Sequence, residues 1–292
     1  MSALTVAGGV YHEHCIWPDW DQIYGSGGRA AAALSGHVDS ITLRTYARPD
    51  TAERIATNAA VYGFNFDPVS ADQTVSFEYI HSLSIPVIRP APALIRLHAP
   101  FPVSGDVVLR FGMMEGSAVV EADRCVYDPQ SAFHPERFNT NGSNANHLAI
   151  VANRSEVLAL GCGSDPIASA KTLLNEGAEV VIVKLGVEGA IVVEPKTVTP
   201  VPAYKTEQVW KIGSGDVFAA MFAAAWGVRG KSPVDAVNFV SRAVAEYVTS
   251  MALPIPSAEA LQKSKLPPAT AGGGRNLSCR SIFHVRSALA YR

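Results

Sequence analysis

Lys211-Ile-Gly-Ser-Gly-Asp-Val-Phe-Ala-Ala220 is the stretch on which the reading of this chain turns. Two glycines around a small residue, followed at once by a helix-forming run, predict a tight turn opening a helix. Backbone N–H groups of Gly213, Ser214 and Gly215 then lie at the positive end of the helix, where an anion can sit. Asp216 falls in the first turn, close to any bound phosphoryl group and able to accept a proton from an attacking hydroxyl. An ordinary turn, with Asp216 complementing the helix dipole, explains the same short pattern, so the flanking sequence has to decide.

Downstream, Val217, Phe218, Met221, Phe222, Ala225 and Trp226 recur with helical spacing, which predicts a buried helix over 216–226 stopped by Gly227. Ser232, Pro233 and Asp235 supply an N-cap, a first-turn proline and an acidic residue for a second helix over 234–249, with Val237, Val240, Val244 and Val248 facing inward. Upstream, short Val- and Ile-rich runs at 4–7, 41–46, 86–89, 107–111, 124–127, 148–151, 180–184 and 190–193 read as buried strands. Helical segments at 51–62, 156–160 and 166–176 separate several of them, and this alternation predicts an α/β fold: a mostly parallel sheet with helices on both faces. No repeat or composition break divides residues 1–262, so they read as one domain. Residues 263–292 carry Pro-Pro, a glycine triplet and basic residues without acidic ones, and read as a linker or tail outside the core. Shifting a back-translation of Asn276 to Val285 by one base gives a stretch similar to the opening strand of nucleoside 2-deoxyribosyltransferases, which would make the tail a frameshifted start of a further domain.

Composition narrows the partners. Of 292 residues 48% are hydrophobic and 17% charged, which argues for a packed globule and against disorder. Lys and Arg total 24 against 26 Asp and Glu, so neither nucleic acid nor an anionic membrane is an expected partner, and a small molecule is. Cys15, Cys125, Cys162 and Cys279 form no metal or disulfide spacing, and the first residues lack the basic-then-apolar form of a signal peptide. No apolar run reaches membrane-spanning length, and a cytoplasmic location is expected.

With these residues in view, the chain resembles the ribokinase-like, or PfkB, carbohydrate kinase family, whose signature has the form D-T-x-G-[AS]-G-D-x-F. Gly213–Phe218 matches its glycine loop, Asn153-Arg-Ser-Glu156 its N-x-x-E motif, and Lys184-Leu-Gly-Val-Glu-Gly189 its T-x-G-x-x-G turn, in the family's order. Gly27-Gly28 before an Ala-rich helix and Asp128-Pro129 at a strand end are similar to further family features. The resemblance spans residues 3–262 and is strongest over 107–250. It implies ATP-dependent phosphorylation of a sugar hydroxyl, or alternatively of a nucleoside, in a ribokinase-like fold. It further implies Asp216 as base and Gly213, Ser214 and Gly215 as anion hole. Asn153 and Glu156 would organise Mg²⁺ through water, Lys184, Gly186 and Gly189 would line the nucleotide, and Glu13, Gly27 and Gly28 the sugar. A homodimer is compatible with it.

Each position also has a structural role on offer. Asn153 and Glu156 have capping-box spacing, Gly186 and Gly189 suit a hairpin turn, Asp128 suits a strand-ending turn, and Lys184 suits a solvated strand end. The sequence departs from the family where Trp210 and Lys211 replace Asp-Thr, Lys184 replaces Thr, and Ala32 replaces a sugar-binding Asn. These departures leave a catalytically weak, metabolite-binding member as a third reading. The short interval between the first strand and Gly27 predicts a reduced or absent β-lid. His12, Glu13 and His14 alternate along a strand, so the two imidazoles share one face and the carboxylate takes the other.

Overall fold

The computed structural model describes residues 2–131, 134–263 and 266–269. In chain order the elements are β1 (Ala3–Ala7), β2 (His12–Trp17), β3 (Trp20–Ile23), α1 (Gly25–Leu34), β4 (Ser40–Ala47), α2 (Pro49–Tyr62), β5 (Asn65–Ser70), β6 (Ser76–His81) and β7 (Val87–Arg89). They continue as β8 (Phe101–Phe111), β9 (Ala118–Asp128), β10 (Asn144–Asn153), α3 (Arg154–Leu160), α4 (Pro166–Asn175), β11 (Val180–Lys184), β12 (Ala190–Val193), β13 (Val198–Val201), α5 (Ser214–Phe222), α6 (Pro233–Ser250) and α7 (Ala258–Lys263).

A nine-stranded sheet runs β13-β12-β11-β10-β9-β8-β1-β4-β5, parallel throughout except for its β12 and β13 edge. Strand β11 explains why helices cover both faces. Its Val180 and Ile182 enter the core under α1, α5 and α6, while Val181 and Val183 enter a second core under α3 and α4. An unbroken β-branched run has no polar face to give to water, so both faces must be covered. The expected caps form as well: Ser232 accepts from the Asp235 amide at 3.2 Å to start α6, and Asp165 accepts from Ala168 at 2.7 Å ahead of Pro166 to start α4.

Three expectations are corrected. The helix after the glycine loop narrows to α5 and then widens into a π-helical turn over Ala223–Val228, closed by the Arg229 N–H bonding Ala224 O at 3.1 Å. Gly227 therefore lies inside the widened turn and does not stop the helix. The run at 86–89 forms β7, which belongs to a separate small sheet. That sheet, ordered β3-β2-β6-β7, is the lid: it is present, and reduced in that no strand exceeds six residues. Its second half comes from β6 and β7; β6, intermediate to exposed along its whole length, gives no buried-strand signal. At the other terminus the tail is partly joined to the body. Lys205 N–H bonds Pro267 O at 2.9 Å and Ala269 N–H bonds Ala203 O at 2.7 Å, and residues 270–292 lie outside the described residues. Among the described residues no helix is long and apolar enough to cross a membrane.

Trp226 is 2% exposed and stacks on Phe222 with centroids 5.8 Å apart. Trp226→Ala should cost about 3–5 kcal/mol in urea unfolding, as expected for emptying a buried indole site; a loss below about 1 kcal/mol would show that the π turn collapses to fill the space.

Candidate active site

The carboxyl ends of β9, β10 and β11 meet the N-terminus of α5, the edge of a parallel sheet at which ligands bind. Asp128 ends β9, Asn153 ends β10 and Lys184 ends β11, with Asn153 and Lys184 in direct register. Gly213 caps α5 with φ 75°, a left-handed conformation that suits glycine, and its bareness has a second cause. A Cβ there would overlap the guanidinium of Arg29.

Arg29 is the one charged residue in α1, a helix whose ten residues are all buried. At 1% exposure its charge must be matched inside the protein. Both terminal nitrogens donate to the Glu13 carboxylate, Nη1 to Oε1 at 3.0 Å and Nη2 to Oε2, and Nη1 also donates to Asp216 Oδ2 at 2.9 Å. Burial disfavours the cation, but Glu13 foremost and Asp216 with it outweigh that and raise Arg29 above its ordinary value. Asp216 accepts on its other oxygen, Oδ1, from Gln130 Nε2 at 2.5 Å. The carboxylate nearest the anion loop is thus held from two sides. Arg29 Nε is buried without a partner.

On the opposite side of the loop lies Lys184. Its Nζ sits 3.6 Å from where a Cβ on Gly215 would stand, and donates to Asp128 Oδ2 at 2.5 Å. Asp128 is fully buried; burial pushes its carboxyl up, and Lys184 pulls it back. For Lys184 burial acts downward, yet Asp128 first and Glu156 next hold the ammonium above its ordinary value. The solvated strand end and the simple turn residue expected from sequence are instead the two halves of a buried ion pair.

The structure gives the other expected residues definite places. Asn153 and Glu156 form the capping box of α3, Asn153 Oδ1 accepting from the Glu156 amide at 3.0 Å and Glu156 Oε2 from the Asn153 amide at 2.7 Å. Gly186 and Gly189 serve the β11–β12 hairpin, where Leu185 N–H bonds Gly189 O at 2.8 Å. Gly27 lets α1 approach β1, for a Cβ there would stand 2.6 Å from Gly8 O, whereas a Cβ on Gly28 would make ordinary contact with Val10 at 3.9 Å. Glu13 lines the cleft with both carboxylate oxygens accepting from Arg29. Ala32 is buried among the α1 packing. Trp210 packs on Trp20 of the lid at 5.1 Å between centroids, and Lys211 is exposed, its carbonyl accepting from Ser214 N at 3.1 Å. His12 and His14 share the half-buried face of β2 opposite Glu13.

Arg29 and Gln130 were not singled out in the sequence. For Arg29 a signal existed: a single charge inside Gly-Ser-Gly-Gly-Arg-Ala-Ala-Ala-Ala-Leu has no solvent face to occupy. For Gln130 there was none.

A divalent ion held by the protein alone does not fit this donor set. Asp128 is taken by an ammonium, one oxygen of Glu156 by a backbone amide, and among the described residues no three His, Cys, Asp or Glu side chains are arranged to hold a metal. The cleft between sheet edge and lid has a volume of about 920 Å³ and is lined by Arg29, Gln130 and Asp216 at its floor and by Tyr11, Phe77 and Tyr79 above. Tyr11 is anchored by donating its hydroxyl to Glu115 Oε2 at 2.8 Å, and burial pushes the Glu115 carboxyl up to about 7.

Residues 125–259 match the model of the pfkB family carbohydrate kinases. No curated protein matches the chain by sequence. Among solved structures, ribokinase from Thermotoga maritima is similar at 18% identity and TM-score 0.61, covering 90% of this chain and 98% of that one. Fructokinase from Vibrio cholerae, bound to fructose, ADP and calcium, aligns at 14% identity and TM-score 0.63 over 86% and 94% of the two chains. Adenosine kinase from Sinorhizobium meliloti aligns at 15% identity and TM-score 0.57 over 89% and 98%. Identities this low establish a shared fold.

Two outcomes follow from the buried charges. Arg29→Met strands Glu13 and should cost about 3–5 kcal/mol in denaturant unfolding, while Glu13→Gln combined with Arg29→Met should recover much of that loss; equal losses would mean that packing, not charge, holds the site. Glu115 has a raised value in the fold, so its ionisation disfavours folding increasingly between its ordinary value of 4.5 and about 7. Glu115→Gln should therefore gain up to about 3 kcal/mol on the parent at pH 8 and nothing at pH 4.5, measured by unfolding at both pH values.

Proposed function

We propose that this chain, a pfkB-family carbohydrate kinase across residues 125–259 and ribokinase-like in fold, transfers the γ-phosphoryl group of ATP to a hydroxyl of a sugar. The observation that carries this reading is the Asp216 carboxylate at the mouth of the Gly213–Gly215 helix terminus, oriented by Arg29 on Oδ2 and Gln130 on Oδ1. A base for a hydroxyl must be aimed before it is useful, and two charged or polar donors on its two oxygens aim it.

In this mechanism the acceptor lies in the cleft under the lid, and its hydroxyl gives its proton to Asp216 as it attacks the γ-phosphorus. The bond from that phosphorus to the bridging oxygen breaks, and ADP leaves with the electron pair. Negative charge gathering on the transferring group meets the outward amides of α5 and the guanidinium of Arg29, both fixed in advance of the reaction. Glu13 contributes by keeping Arg29 in place.

A second acceptor class has its own support. Tyr11 and Phe77 pack with ring centroids 5.1 Å apart beside the cleft, joined there by Tyr79. Aromatic faces of this kind suit a planar base, which favours a nucleoside among acceptors that carry a sugar hydroxyl.

Asp216→Asn should lower kcat by about 10²–10⁴ and leave ADP affinity nearly unchanged. ADP release measured across panels of sugars and nucleosides tests both steps. Turnover of the variant near that of the parent removes Asp216 from the base role, and release dependent on nucleosides alone selects the second acceptor class.

A further inference from the structure

The base and the amide cradle account for Asp216, Arg29, Gln130 and the glycine loop, but not for the ammonium on the other side of that loop. We propose that Lys184 is the resident cation for the phosphates of the donor, so that the chain binds adenine nucleotide without a divalent ion. This rests on the phosphotransfer reading above and adds to it the means by which donor charge is met.

A lysine ending a strand ordinarily extends into water, yet this side chain is 16% exposed, its ammonium turned to Asp128, whose side chain is 1% exposed. An ammonium has three donors; one goes to Asp128, and the Nζ lies beside Gly215 at the head of α5. The carboxylates of Asp128, Glu156 and Asp216 all act on Lys184. An incoming polyphosphate would be repelled by those three groups, and by Glu13 on Arg29, if nothing opposed them. Two fixed cations do: Lys184 on the Gly215 side, and Arg29, with its partnerless Nε, on the Gly213 side. A divalent ion in the same place would have to displace the ammonium or sit against it, since Asp128 is already its counter-ion. Lysine is suited to the work, being a compact point charge that can turn from one anion to another without a fixed donor geometry. On donor binding, Lys184 would share its proton donors between Asp128 and the phosphate oxygens, and no bond is made or broken in doing so.

Calorimetric titration of ADP into the full chain, in EDTA and again with Mg²⁺, tests the proposal without reference to turnover. The parent should bind in EDTA with a dissociation constant within a few-fold of that in Mg²⁺. Lys184→Thr should weaken binding in EDTA by about 10- to 100-fold, the range for losing one charge-assisted contact, and Mg²⁺ should restore much of it. Because Lys184→Thr strands the buried Asp128, the double variant Asp128→Asn with Lys184→Met, which removes both charges, is titrated beside it; if the single variant gives no cooperative melt, the same loss in the double variant decides. Binding by the parent only when Mg²⁺ is present overturns the inference and leaves the kinase reading standing. Variants that bind ADP in EDTA as tightly as the parent overturn it also. A parent that binds ADP under neither condition overturns the kinase reading, and this inference with it.

Discussion

A guanidinium buried to 1% exposure between two carboxylates is the constraint from which much of this molecule follows. Removing a charge from water is costly, and the cost is offset only when its partners are held in good geometry. Arg29 therefore requires Glu13 from lid strand β2 and Asp216 from the first turn of α5 to stay where they are. The small sheet is tied to the body by that requirement, because Glu13 must face inward and the period-two strand then turns His12 and His14 the other way. The same guanidinium excludes any side chain at position 213, which leaves the head of α5 bare of everything except its amides and Asp216.

The other side of the helix terminus repeats the logic with a different pair. Asp128 and Lys184 sit at the ends of strands that are not adjacent in the sheet, and their ion pair spans the end of β10 between them. Between the two pairs lies the helix terminus. Each cation beside that terminus is matched by the protein's own carboxylates, so the charges of the site are balanced locally within a chain whose net charge is −2.

How far the molecule could be read from its residues depended on how local each signal was. Strands β11 and β12 form over the residues expected, because continuous β-branched runs are buried on both faces and carry no ambiguity. The α6 start and the α3 capping box form as spaced, since a cap is a contact between residues three apart. The lid was legible only in part: the run at 86–89 reads as a strand but not as one of a separate sheet, and β6, which buries little, has no hydrophobic period to show. The widening of α5 into a π turn was equally hidden, because the apolar stripe that specifies burial is the same for both helical forms at that length.

The sequence by itself determined the alternation of strands and helices, the glycine loop and the acid that follows it, because each is written in neighbours a few positions apart. Tertiary structure decided what those residues meet. Arg29 finds Asp216 across 187 positions and Lys184 finds Asp128 across 56. No periodicity links residues so distant, and only burial, which forbids a charge to remain alone, shows why each pair had to form.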